Sequence, residues 1–315
     1  GFSATALGAL SSTQIASLTT TRVNALSTTS IGLLDAAQLG ALTTTQIRGL
    51  NSTNFSALSA TQVGQLADTQ VAALTTTQLK SLSAGDVAEF AATQIALLNA
   101  TQIGALSVTA FSALDATTIA GLATTQLTKL GAGQLSGIAT TDVGEFTGTQ
   151  VAAFSAAQIA GLGVTNFSAL DATQFAALTE TQIKALSAAQ LSGLTTTDIG
   201  EFSDTQLAAL GATQLKALSE TNFSALTTTQ IAGLTAAQIK GLTSTQVAGL
   251  TTTALGAFTE TQIGAFATSQ LSALTTTSIG ALTTTQLTGL TAAQVGALSA
   301  TNLSALDATQ VASLA

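Results

Sequence analysis

The residues able to do chemistry are few, and the densest set is a recurring acidic motif. Asp86-Val87-Ala88-Glu89-Phe90 returns as Asp142-Val143-Gly144-Glu145-Phe146 and as Asp198-Ile199-Gly200-Glu201-Phe202, at a spacing of 56 residues. Carboxylates three apart could work as an acid and base pair or offer oxygen ligands to a hard cation. The remaining parts of an active site are missing, because no base, nucleophile or pocket-forming irregularity surrounds Asp86 and Glu89. His and Cys are both absent. Thiolate and imidazole sites for zinc, haem or iron–sulfur clusters, disulfides, and Cys–His or Ser–His–Asp catalysis are therefore excluded. Gly131-Ala132-Gly133 lacks the strand-to-helix context of a phosphate loop. The expectation is a protein without enzymatic activity, with no catalytic, cofactor-binding or metal residues to assign and no cofactor.

Composition narrows the partners. Charged residues make up 7% of the 315, and the net charge is -8 with 7 basic residues, which argues against an electrostatic nucleic-acid surface. Pro, Met, Trp and Tyr are also missing, so an uncharged polar surface of Thr, Ser and Gln is expected. No run of about 18 apolar residues is present to span a bilayer. The opening Gly1-Phe2-Ser3 has neither Met nor the basic and apolar regions of a signal peptide, as expected of a mature product or an excerpt.

One period organises the whole chain. From Phe2 to Ser313 the sequence divides into 39 octads without insertion or deletion, read as a single array over residues 1–315. With positions lettered a to h, Leu42-Thr43-Thr44-Thr45-Gln46-Ile47-Arg48-Gly49 is one octad. Position a is Leu, Phe or Ile, and position f is Ile, Val, Leu or Phe. Phe2, Phe90, Phe146, Phe154, Phe202, Phe258 and Phe266 stand at a, and Phe55, Phe111, Phe167, Phe175 and Phe223 at f. Aromatics confined to two positions of eight mark those positions as core.

A continuous helix fails, since eight residues advance about 800° and shift the apolar stripe about 80° per octad. A plain strand would put a and f on opposite faces. The chain must turn once per octad. Position b is mostly Ser, Thr, Asp or Asn, with Gln usually three residues later at e, which is capping-box spacing; a and f are then the two members of the hydrophobic staple. The pattern predicts a short helix over c to h. Charge placement agrees with helix polarity. Asp35, Asp115, Asp171 and Asp307 are at b, Asp68, Glu180, Asp204, Glu220 and Glu260 at c, and Arg48, Lys80, Lys184, Lys216 and Lys240 at g; Glu180 and Lys184 form an i,i+4 pair. Arg22 at e and the glutamates of the acidic motif depart from it.

One octad buries two large side chains, about 3–6 kcal/mol, against roughly 12 kcal/mol for ordering eight residues. Stacked neighbours must supply the difference, with small residues at g and h allowing close approach. The expected fold is an all-α solenoid of short helices; a β-solenoid is the alternative, favoured by Thr, Ile and Val. Two octads per coil would give a rod on the order of 150–200 Å. The 56-residue spacing is seven octads. It reads as a duplicated block, or as a sign that seven octads bring one face round again and align the acids as an ion-binding or lateral-contact stripe.

Two further patterns come with the repeat. Asn51, Asn54, Asn99, Asn166, Asn222 and Asn302 all sit in N-x-[ST], a glycosylation signal that the repeat also generates by itself through Thr at d and Ser at g. Runs such as Thr43-Thr44-Thr45 and Thr283-Thr284-Thr285 offer hydroxyl ladders suited to ice, and capping explains the same threonines. A row of Gln at e could form an amide ladder, though capping accounts for it.

The unit Leu226-Thr227-Thr228-Thr229-Gln230-Ile231-Ala232-Gly233 resembles the octapeptide arrays of very large secreted or surface-attached bacterial proteins. The resemblance implies an extracellular or cell-surface, stalk-like or filament-forming role, as in an adhesin, appendage or matrix component. It implies self-association, head to tail or lateral, as the main partnership, alongside other surface or matrix components. Neither end looks like a cap, which fits a segment of a longer array or ends that stack.

Overall fold

The computed structural model describes residues 4–314; Phe2, assigned to position a of the first octad, lies outside them. Each octad forms one α-helix of four to six residues, from α1 (Ala4–Gly8) to α39 (Ala308–Ala312), and no strand occurs among the described residues. The protein is an all-α repeat solenoid, and the β alternative falls. In α6 (Thr44–Gly49) the cause is local. Thr43, extended at φ -68° and ψ 157°, accepts from the Gln46 N–H through its hydroxyl at 3.2 Å, and Gln46 Oε1 accepts from the Thr43 N–H at 2.7 Å. Where b is Ala, as at Ala67, only the second bond survives. Many helices stop at f or g rather than h. Leu50, at position a, returns to extended backbone and leads to the next cap.

Helices this short do not persist alone, so packing decides the rest. The chain divides into two compact units, Gly1–Leu162 and Gly163–Ala315. Within the first, α2 (Ser12–Ser17) packs on α5 (Ala36–Ala41), α3 (Thr20–Asn24) on α6, and α17 (Ala132–Gly137) on α20 (Ala156–Gly161). Within the second, α24 (Ala188–Ser192) packs on α27 (Ala212–Ala217), and α27 on α30 (Ala236–Gly241). Helix n thus meets helix n + 3. Side-chain bonds from position e join octads to points 28 and 31 residues earlier, as from Gln78 to Leu50 and Ile47, so a coil holds three and a half octads. The two-octad coil does not occur, and the rod length built on it does not apply.

Positions a and f form the core of each unit. Phe55, Phe111, Phe167, Phe175 and Phe223, all at f, are among the largest fully buried side chains. The f side chain is covered by the following coil. Leu303 and Val311, with no later coil over them within the described residues, are 37% and 50% exposed. The 56-residue spacing is two full coils, and it repeats a packing arrangement: Phe55 stacks on Phe90 at 6.4 Å, and Phe111 on Phe146 at 6.3 Å, with interplanar angles of 23° and 22°.

Position h lies against position c of the octad three before. A Cβ on Gly161 would come within 2.8 Å of the Ala132 Cβ, and one on Gly241 within 2.7 Å of the Ala212 Cβ. Small residues at h are what lets the coils close up. Gly163 has a different task. Its φ of 76° is the only positive value among the described residues, and it opens α21 (Gly163–Phe167) without the extended cap used elsewhere. An L-residue there would be strained.

Candidate functional site

Among the described residues the most specific polar chemistry is inside, at position e. The repeat leaves one backbone group without an intrahelical partner in every octad. Position a is extended, as at Leu18 and Leu50, with Leu162 an exception, so its carbonyl cannot join a helix, yet it is buried and needs a donor. The glutamine at e supplies it. Gln46 Nε2 donates to the carbonyls of Ile15 and Leu18 at 2.9 and 2.8 Å, and Gln150 Nε2 to those of Ile119 and Leu122, both at 2.8 Å. In the second unit Gln206 donates to Phe175 and Leu178, and Gln270 to Ile239 and Leu242, at 2.7–2.9 Å. Each amide caps its own helix through Oε1 and ties down the previous coil through Nε2.

This corrects the sequence reading in two respects. Capping alone does not account for the glutamines, which form an amide ladder as well. Nor do most of them belong to the polar surface, since Gln46, Gln78, Gln150, Gln174 and Gln246 are 1–2% exposed. Asparagine at e keeps the ladder: Asn54 Nδ2 reaches the Leu26 carbonyl at 3.0 Å and Asn222 Nδ2 that of Leu194 at 2.7 Å. From Gln38 onward e is Gln or Asn except at Asp86, Ala110, Thr118, Asp142, Asp198, Ala254 and Ser278.

The acidic motif occupies three of these exceptions. Asp86 and Asp198 accept from the N–H of their cap residues, Ser83 and Thr195, at 2.8 Å, and Asp198 also accepts from the Ser168 hydroxyl. A carboxylate cannot donate to the previous coil. The partner glutamates at h are half-buried, and Oε2 of Glu145 and of Glu201 is buried without a hydrogen-bond partner. Burial pushes the Glu145 carboxyl above the usual range, reinforced by Asp142 and by Asp115. Burial does the same to Glu201, reinforced by Asp198 and by Asp171, and to Glu89, reinforced by Asp86. Two coils do bring the same face round within the first unit. Among the described residues, however, no group of three or more Asp or Glu could hold a metal ion, so the ion-binding stripe is not assembled.

The sequons separate by position. Asn54, Asn166, Asn222 and Asn302 stand at e and are 2–4% exposed, out of reach of a glycan. Asn51 and Asn99 stand at b, exposed, as helix caps. The predicted pair forms, with Lys184 Nζ on Glu180; both side chains are well exposed, which makes it a weak contributor. Gly131 is an ordinary cap position ahead of α17. No helix among the described residues is long and apolar enough to cross a membrane.

The fold and the ladder define a helical repeat protein whose unit is eight residues. Residues 31–68, 221–252 and 263–300 match the ALTTAQ repeat, about a third of the chain. The six letters of that description run from h to e: a small residue, the core leucine, the hydroxyl cap, two helix positions and the ladder glutamine. The chain matches no curated protein.

Proposed function

We propose that the chain is a structural, non-enzymatic repeat protein of the cell surface or extracellular matrix, a rod, stalk or filament component that associates with further copies of itself. The observation that carries this reading is the ladder, in which a coil is tied to the coil before it by bonds repeated throughout each unit. Such a design sets length rather than shaping a pocket. The surface suits exposure to solvent without strong electrostatic partners, because Thr43, Thr44 and Thr45, and likewise Thr283, Thr284 and Thr285, are exposed and uncharged. Negative-stain imaging of the purified protein tests the reading. Elongated particles of constant width, or longer filaments made from them, are expected, and compact isolated globules would remove it.

The exposed c and d threonines favour one alternative, binding to ice or a comparable ordered surface, since only the b hydroxyls are committed to caps. Thermal hysteresis at millimolar protein would establish it, and ordinary colligative freezing would dismiss it.

A further inference from the structure

One rung of the ladder is missing beside a cavity. In the octad of α15 (Ala116–Gly121) position e is Thr118, and the carbonyls that a glutamine there would reach, 31 and 28 residues earlier, belong to Val87 and Phe90. Those residues, with Ala88, Ala113, Leu114, Asp115 and Thr118, line a cavity of about 120 Å³. At about 30 Å³ of liquid per molecule this is room for about four waters. The Thr118 hydroxyl makes no hydrogen bond to either carbonyl, and its backbone N–H donates to Asp115 Oδ1 of its own cap at 2.7 Å. The Val87 carbonyl accepts only the local Phe90 N–H. The floor is buried at Val87, Phe90 and Thr118, and the mouth opens at the exposed Asp115.

The cavity therefore receives no side-chain amide from position e, and the Val87 carbonyl has only its local Phe90 N–H. The two residues whose carbonyls a ladder amide would serve line the gap, and so does Asp115 with its carboxylate. The Thr118 N–H, at 2.7 Å from Oδ1, and the Thr118 hydroxyl hold the Asp115 carboxyl below the usual range, so it is ionised at neutral pH. Glu145 of a later coil adds its negative charge near Asp115. The other short residues at e lack this combination: Ala110, Ala254 and Ser278 share their octads with the neutral caps Ser107, Thr251 and Thr275.

We propose that this cavity is a binding site for a small primary ammonium group, which replaces the absent glutamine amide. Its N–H donors serve the Val87 and Phe90 carbonyls and the Asp115 carboxylate, and its charge is matched by Asp115. A quaternary ammonium has the charge without the donors and is excluded.

The test compares methylammonium chloride with tetramethylammonium chloride at equal concentration, reading the thermal midpoint of the full chain. Methylammonium is expected to raise Tm above the tetramethylammonium value by about 1 °C or more at concentrations that fill the site. Thr118→Gln, which places the chain's own amide in the gap, is expected to raise Tm without ligand and to lose the difference between the two salts. Asp115→Asn, which keeps a capping oxygen, is expected to lose the difference while remaining folded. Equal Tm in both salts for the parent chain would overturn the proposal and assign the cavity to water. An equal methylammonium effect in Thr118→Gln would also overturn it, because the response would then come from elsewhere on the protein.

Discussion

Gln246 donates from Nε2 to the carbonyl of Leu218, 28 residues earlier, at 2.9 Å, with both residues almost wholly buried. The same nitrogen reaches the Leu215 carbonyl at 2.9 Å, and Oε1 accepts from the Thr243 N–H at 2.9 Å. Gln246→Leu keeps the volume and removes all three bonds, leaving the Leu218 carbonyl without a partner. A loss of about 2–4 kcal/mol is expected, measured as a shift of the urea midpoint. Thr245→Ala, on the exposed face of the same helix, should change stability by less than about 0.5 kcal/mol.

The raised carboxyls give the array an acid-stabilised component. A group whose folded-state pKa lies above its unfolded value binds more protons when folded, so its contribution is lost as pH rises through the window from the ordinary glutamate range upward. Burial of Glu201, with Asp198 and Asp171 nearby, places it in that class. Glu201→Gln should stabilise the protein at pH 7 by up to about 1 kcal/mol, a modest figure for a part-exposed group, and the difference should shrink as the pH falls to about 4. Thermal unfolding at the two pH values reads it, and an advantage that persists unchanged in acid would refute the electrostatic cause.

Gly40, at g, and Gly289, at h, should respond oppositely to alanine. At Gly40, inside α5, a Cβ would meet nothing within 4 Å, whereas at Gly289 it would lie 2.3 Å from the Glu260 backbone oxygen. Gly40→Ala should stabilise by about 0.5–1 kcal/mol through helix propensity. Gly289→Ala should destabilise by about 1–3 kcal/mol, because the coil beneath is backbone and cannot give way. Circular-dichroism melting of the two variants gives the sign of each.

Peptide mapping after secretion from a glycosylating host should find Asn54, Asn166, Asn222 and Asn302 unmodified in the folded fraction, since each is buried at position e. Occupancy at any of the four in soluble, folded protein would contradict the burial.

What the sequence made legible was most of what lies within an octad, short of where each helix ends. The Thr43–Gln46 cap, the Leu42 and Ile47 core positions and the helix between them are relations over three to five residues, and each is written in residue type. Coil closure was not legible, because the bond from Gln246 to Leu218 ends on a backbone carbonyl that any residue possesses. The signal that could have found it was the 56-residue spacing of Phe55 and Phe111, which halves to 28 and is not a whole number of octads. The acidic motif misled for a related reason. Asp86, Asp142 and Asp198 look like ligands in a list of charged residues, but they fill the place of the ladder glutamine and accept from cap N–H groups, Asp198 also from the Ser168 hydroxyl.

The half octad in each coil has a mechanical consequence. An octad whose amide ends between two helices of the coil beneath sits across their joint, as a brick in running bond spans the seam below it. Within each unit the joint between neighbouring helices is offset by half an octad from one coil to the next along the described residues. A split started along one joint meets the middle of a helix one course later, and shear is handed sideways to its neighbours.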